Sequence, residues 1–306
     1  MSPTRRLAVP LLWAVCSTAQ AQENPGLPAP AAGQMLGRHP AARSTPAEVL
    51  PPAEMPSPTF TRTPEEEVFF APAISGEAWA QTRLGVLYVR TAGDNGRLHE
   101  GVKLLESAAA QKDPEALYEL AALATAGRGM APSATAAFDY IWRAADLGMA
   151  EAQYELAAMY AEGRGTSPDA EAAVRWGRRA AEQGHKKAAF AVGLLLANSE
   201  DPAAQKEGVE WLNKLAAEGD TAAIAALAQA YVRGEWGLAK DEAKAEALLK
   251  PPAENGNAEC QFLLASLYRF GTSYELQRDF ATEWLQRAAT AGHQRAAEIL
   301  RGEAQP

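Results

Sequence analysis

The sequence predicts an all-α fold: a right-handed α-α superhelical solenoid of about six helical hairpins. Three observations predict it. The first is a column of small residues, Ala80, Ala116, Ala152, Ala188, Ala223, Cys260 and Ala296, spaced by 36, 36, 36, 35, 37 and 36 residues. Four residues after each stands Leu84, Leu120, Leu156, Val192, Leu227, Leu264 or Leu300. Four further on come Tyr88, Ala124, Tyr160, Leu196, Tyr231 and Tyr268. Positions zero, four and eight share one face of a helix, so each unit opens with an amphipathic helix A. The second observation is a recurring segment, "AAFDYIWRAADLG" (136–148), "AAVRWGRRAAEQG" (172–184), "GVEWLNKLAAEG" (208–219) and "FATEWLQRAATAG" (280–292). In each, an aromatic precedes paired alanines and a glycine, which reads as helix B. The third is the glycine itself, at 148, 184, 219, 256 and 292, a residue suited to the left-handed conformation that ends a helix.

These elements require one another. A single hairpin leaves an apolar face in water, and stacked neighbours bury it. Alanine-rich faces let helices A and B approach closely.

Taken in order along the chain, residues 1–21 read as a secretory signal. Arg5 and Arg6 give a positive start, Leu7 to Cys16 is apolar, and Ala19-Gln20-Ala21 offers a cleavage site after Ala21. A lipoprotein signal ending at Cys16 is the alternative, for which Val15 is poorly suited. Residues 22–62 are dense in proline and alanine without apolar periodicity, the composition of a disordered linker. Residues 63–77 form a short helix and lead-in, with Thr63 as N-cap, Pro64 at N1 and Glu66 at N3, expected to stop before Pro72. The solenoid spans 78–300. "HQRAAEILRGEAQP" begins a seventh helix A that caps the last hairpin, and 301–306 is a tail.

Composition narrows function. The formal charge of −9 becomes −11 once Arg5 and Arg6 are cleaved away. An acidic chain argues against nucleic acid and against anionic membranes. No transmembrane segment is expected beyond the N-terminus. The predicted compartment is periplasmic or secreted. Only Cys260 remains after cleavage, so no intrachain disulfide is available, and its place in the alanine column reads as a buried thiol.

The unit "AEAQYELAAMYAEGRGTSPDAEAAVRWGRRAAEQGH" (150–185) resembles the Sel-one-like repeats, relatives of the tetratricopeptide repeats. Period, Leu-Ala pair, tyrosine, Gly-x-Gly and Ala-Ala-x-x-Gly all agree, over roughly residues 78–300. Three repeats depart. The first has Thr91 and Lys112 in glycine columns, and the fourth has Ser199 and Asp201 in place of Gly-x-Gly. In the fifth, Pro251 and Pro252 are expected to interrupt helix B near Leu249. The resemblance implies protein–protein interaction by adaptors, assembly factors or signalling regulators, often exported in bacteria. Some small cysteine-rich members were described as binding penicillin or hydrolysing β-lactams. They carry a cysteine pair in each repeat, and this chain has no such pair.

Candidate chemistry is sparse. "GRGMAPSATAAF" (127–138) and "GRGTSPDAEAAV" (163–174) lack the preceding strand and following Lys-Ser/Thr of a phosphate loop, so Gly127, Gly163, Gly234 and Gly271 read as helix ends. Arg128 and Arg164 are expected to face solvent or helix-end carbonyls. His39 falls in the linker and His99 in a predicted loop. His185 and His293 lie three repeats apart, at about 10 Å per repeat, too far to share a metal ion. Neither a Gly-x-Ser-x-Gly elbow nor a Ser-x-x-Lys start is present. No catalytic residue, cofactor or metal is expected, and the chain reads as a non-enzyme.

The binding candidates are two. Tyr118, Tyr154, Phe190 and Phe262 stand two residues after the column alanine, about 60° beyond the core face at 100° per residue. With Ala122 and Ala158 at the sixth position, these rings either line a concave groove on the A helices or pack against the adjacent helix A. Arg175, Arg178, Arg179, Lys186 and Lys187 form a basic cluster, read as an exposed helix-B face or as a patch for an acidic partner. The expected function is a protein-interaction scaffold or regulator of the bacterial cell envelope. The alternatives are a module binding cell-wall glycan or a secreted effector, and, more remotely, a β-lactamase-like hydrolase.

Overall fold

The computed structural model describes residues 62–93, 95–271 and 278–302. The predicted signal, with Ala21 and Cys16, and the linker up to residue 61 lie outside them. Fourteen helices and no strand are found among the described residues. The chain divides into two compact units, one ending at His185 and one beginning at Lys186.

The first unit holds α1 (Pro64–Ile74), α2 (Ala78–Thr91), α3 (Asn95–Ala110), α4 (Pro114–Ala126), α5 (Ala134–Asp146), α6 (Ala150–Glu162) and α7 (Ala170–Glu182). Helices α2 and α3, α4 and α5, and α6 and α7 pack as pairs, and within this unit α3 packs in turn on α4 and α5 on α6. The second unit repeats the plan with α8 (Lys186–Ala197), α9 (Pro202–Ala217), α10 (Thr221–Arg233), α11 (Glu242–Glu254), α12 (Ala258–Phe270), α13 (Arg278–Thr290) and α14 (Gln294–Arg301).

The column residues form the core. Ala80, Ala116, Ala152, Ala188, Ala223, Cys260 and Ala296 are all fully buried, as are the leucines and valine that follow them up to Leu264. Leu300 is the exception at 41 % exposure, because no described helix packs over that face of α14. Helix starts are capped as their side chains dictate. Asp113, Ser133, Asp169, Asp220, Asp241 and Asn257 each accept a backbone N–H from the third residue on. Thr63 and Glu66 form a reciprocal capping box at α1.

Several expectations are corrected. Helix α1 does not stop before Pro72 but runs through it to Ile74. Proline removes one hydrogen bond near the helix end, whereas Ala73 is buried in a cluster with Ala80, Leu84, Tyr88 and Leu104. Helix α11 likewise continues through Pro251 and Pro252 to Glu254, since Leu249 and Ala253 face the core while Pro251 is exposed. Local rules against proline are overridden where the following turn is held by packing. His99 lies within α3 rather than a loop, its Nδ1 2.6 Å from the Asn95 carbonyl.

The helix-B glycines take left-handed φ values of 94° (Gly148), 89° (Gly184), 84° (Gly219), 91° (Gly256) and 93° (Gly292), as their column requires. Gly127, Gly163 and Gly234 end their A helices in the same conformation. Gly271 departs, with φ −64° and ψ 139°. The second glycine of each Gly-Arg-Gly has its own reason. Gly165 has φ 71°, and a Cβ there would stand 2.1 Å from the Ala134 carbonyl oxygen at the start of α5. That glycine seats one turn against the previous helix B.

Candidate protein-binding groove

The two arginines of the Gly-Arg-Gly turns are used differently. Arg128 donates to the Val89 carbonyl near the end of α2 at 2.6 Å, a helix-end contact as expected. Arg164 does neither of the expected things. Its guanidinium bridges Glu155 at 2.9 Å and Glu162 at 2.5 Å, because two carboxylates of its own hairpin lie within reach.

The aromatic column splits by environment. Tyr154 on α6 is 5 % exposed and its ring stacks on His185 at 4.7 Å, so it belongs to the packing. Tyr118 on α4 is half-buried against the first unit's core. Burial first, then the Glu155, Glu119 and Glu151 carboxylates, push its hydroxyl up to about 12. Of the small residues at the sixth position, Ala122 is exposed and Ala158 buried, so the A-helix face of this unit is not uniformly open. Phe190 is half-buried on α8 of the second unit. Phe262 on α12 is also half-buried, stacked on His293 at 4.2 Å. His293 is committed at both ring nitrogens. Its Nδ1 accepts the Ala296 N–H as an N-cap, and Nε2 lies 3.1 Å from a Glu259 carboxylate oxygen.

The cationic residues of the predicted cluster are distributed over both units. Arg175, Arg178 and Arg179 lie on α7, with Arg175 3.7 Å from Glu171 and Arg179 over the Trp176 ring. Lys186 and Lys187 open α8, where Lys186 pairs with Glu218 at 3.2 Å.

Phe262 stands at a concavity of the second unit. It begins a row on α12 in which Ser266 and Phe270 follow at helical spacing. A cavity of about 450 Å³ lies on the α10 side of this row. Another of about 530 Å³ lies on the α13 side. Both touch all three residues. Ser266 turns its hydroxyl onto the Phe262 carbonyl at 2.9 Å, leaving a small, internally satisfied floor between the rings. Phe270 is 59 % exposed. Such volumes, with the Phe262 and Phe270 rings in walls that are otherwise part polar, suit the capture of a side chain. Among the described residues, no group of three or more histidine, cysteine, aspartate and glutamate side chains is placed to hold a metal ion. No described helix is long and apolar enough to cross a membrane. The sequence reading singled out Phe262 but missed Phe270, whose exposure depends on which turn of α12 the neighbouring helices leave uncovered.

Comparison with known proteins agrees with this architecture. The Sel1 repeat pattern matches residues 80–113, 114–149, 150–185, 186–220, 221–257 and 258–293. A Sel1 repeat protein from Oxalobacter formigenes is similar in structure, with a TM-score of 0.57 and 29 % identity, over 72 % of this chain and 87 % of that one. A protective antigen of uropathogenic Escherichia coli displaying an SLR fold aligns with a TM-score of 0.45 and 24 % identity, over 78 % and 59 % of the two chains. No curated protein matches the chain.

Proposed function

The chain belongs to the Sel1 repeat family, whose members are typically helical scaffolds for protein–protein interaction, and from that premise we propose that it is a non-enzymatic binding scaffold or regulator of the bacterial cell envelope. The observation that carries the reading is the groove of α12, where Phe262, Ser266 and Phe270 leave two adjoining cavities unfilled. An exposed ring beside an apolar cavity is the kind of anchor on which interfaces concentrate binding energy. The proposed periplasmic or secreted compartment rests on the signal expected at residues 1–21 of the sequence.

The test is co-purification of the mature chain from its native envelope beside a Phe262→Ser, Phe270→Ser variant. Loss of a stoichiometric protein partner in a variant that keeps its helical circular dichroism supports the reading. Retention of the partner removes the groove from it. Sedimentation of the protein with purified peptidoglycan, undiminished by the same variant, would favour a glycan module instead.

A further inference from the structure

The groove of the second unit mixes apolar and polar walls and carries Arg269 and Arg295 at its rim, in a chain whose formal charge is −9. Arg295 holds its guanidinium 5.8 Å from the centre of the Phe262 ring, and Arg269 holds its own 5.5 Å from that of Phe270. Both side chains are exposed, and neither makes an ion pair with any described residue. The acids that line the α10-side cavity are already engaged. Glu259 lies against His293 at 3.1 Å, and Glu242, nearly buried, pairs with Lys240 at 3.1 Å. Two guanidinium groups therefore stand over the two rings of the groove with their donors turned to no carboxylate of the second unit's described residues.

A ring beneath a guanidinium restrains its plane, and guanidinium is weakly hydrated, so a carboxylate can be taken bidentately at small ordering cost. We infer that this groove binds an extended acidic segment of a partner protein, seating one bulky apolar side chain between Phe262 and Phe270 and its glutamate or aspartate carboxylates on Arg269 and Arg295. The inference rests on the scaffold reading and gives its groove an occupant. Charge complementarity selects the segment, and the cavity of about 450 Å³ beside Phe262 supplies the anchor site.

The experiment measures fluorescence anisotropy of a labelled, end-blocked peptide alternating glutamate with phenylalanine and leucine, titrated with the mature full chain. A second peptide replaces every glutamate by glutamine. Expected are saturable binding of the glutamate peptide that weakens with salt, and weaker binding of the glutamine peptide. Arg269→Ala with Arg295→Ala should weaken the glutamate peptide about tenfold, as loss of charge-assisted pairs predicts. Phe270→Ser should weaken both peptides. An Arg83→Ala, Lys103→Ala control on the exposed faces of α2 and α3 should change neither. No binding, equal binding of the two peptides, or indifference to the Arg269 and Arg295 substitutions overturns the inference. Should Phe262→Ser, Phe270→Ser still abolish capture of the native partner, the scaffold reading stands while the acidic occupant falls. Peptide binding untouched by Phe270→Ser instead refutes the groove as its location.

Discussion

Gln183 donates its side-chain amide to Gln153 Oε1 at 2.7 Å, and Gln153 in turn donates to the Ala145 carbonyl at 3.2 Å. The acceptor is the penultimate residue of α5, a helix-end carbonyl that also accepts the Gly148 N–H at 3.0 Å. Three consecutive helices, α5, α6 and the end of α7, are thereby tied by two bonds. The first repeat has the same arrangement, with Gln111 donating to Gln81 at 2.9 Å and Gln81 to Ala73 at 3.2 Å. Gln261 makes the inner bond, to Ala253 at 2.9 Å, but thirty residues on stands Ala291, and the buried Gln261 Oε1 accepts nothing.

Ala291→Gln should therefore stabilise the protein by about 1 kcal/mol, the net worth of a buried hydrogen bond. Gln183→Ala should cost about 1–2 kcal/mol, since Gln153 would keep a buried oxygen without its donor. Urea unfolding reads both as midpoint shifts at constant slope. Unchanged midpoints in both variants would deny the tie any energetic role.

Lys112 holds φ 64° in the column where the other repeats place glycine. A side chain in the left-handed region is strained by contact of Cβ with the following carbonyl. Lys112→Gly should raise stability by about 1 kcal/mol, less what glycine's greater unfolded freedom takes back. Gly148→Ala is the reverse experiment, because a Cβ at Gly148 meets nothing within 4 Å and only its φ of 94° opposes it. Opposite signs in thermal unfolding are expected, and a destabilised Lys112→Gly would refute the strain.

Gly208 is required for a different reason. Its backbone is helical, but an added Cβ would lie 2.2 Å from the Ala197 nitrogen and 2.6 Å from the Gly193 carbonyl oxygen. Helices α8 and α9 cross there backbone to backbone, so nothing flexible can yield. Gly208→Ala should cost about 3 kcal/mol, at the upper end for overpacking. A melting temperature within a degree of wild type would contradict the close crossing.

What was legible in the sequence follows from these contrasts. The buried columns could be read because small and branched residues recur with the helical period, and burial is decided within each repeat. The Gln153 and Gln183 spacing of thirty was equally present in the sequence but needed the geometry to show that two polar residues meet. Pro72, Pro251 and Pro252 were misread because packing of Ala73, Leu249 and Ala253 outweighs the one backbone bond lost at each proline. Tyr154 and Phe262 share a column yet differ in exposure, since what covers each depends on the neighbouring repeats and not on the residue's own helix.

Cys260 should be chemically silent. It is fully buried, and burial followed by the Glu259 charge pushes its thiol up to about 11, so little thiolate forms at neutral pH. Ellman's reagent should react with the mature protein only after denaturation. Cys260→Ala should cost no more than about 1 kcal/mol, because alanine fills the same column in six other places. Rapid native-state labelling would show that the helix pair opens there.

Tyr118 gives the fold a measurable alkaline limit. Its hydroxyl is raised from 10.0 to about 12, by burial first and then by Glu155, Glu119 and Glu151. The folded state thus holds this proton more tightly than the unfolded chain. The resulting stability is full below pH 10 and is lost as the pH rises from there toward about 12. Tyr88, Tyr140 and Tyr160 are also raised, so the wild-type loss is a composite. Comparison with Tyr118→Phe isolates the one group: across that window the variant's urea midpoint should fall less steeply than wild type. Glu155→Gln should bring the Tyr118 phenolate absorbance in at lower pH by removing a facing negative charge. Parallel midpoint curves for wild type and Tyr118→Phe would mean that the hydroxyl is open to water, and that the A-helix face around α4 is more exposed than its packing against the first unit's core requires.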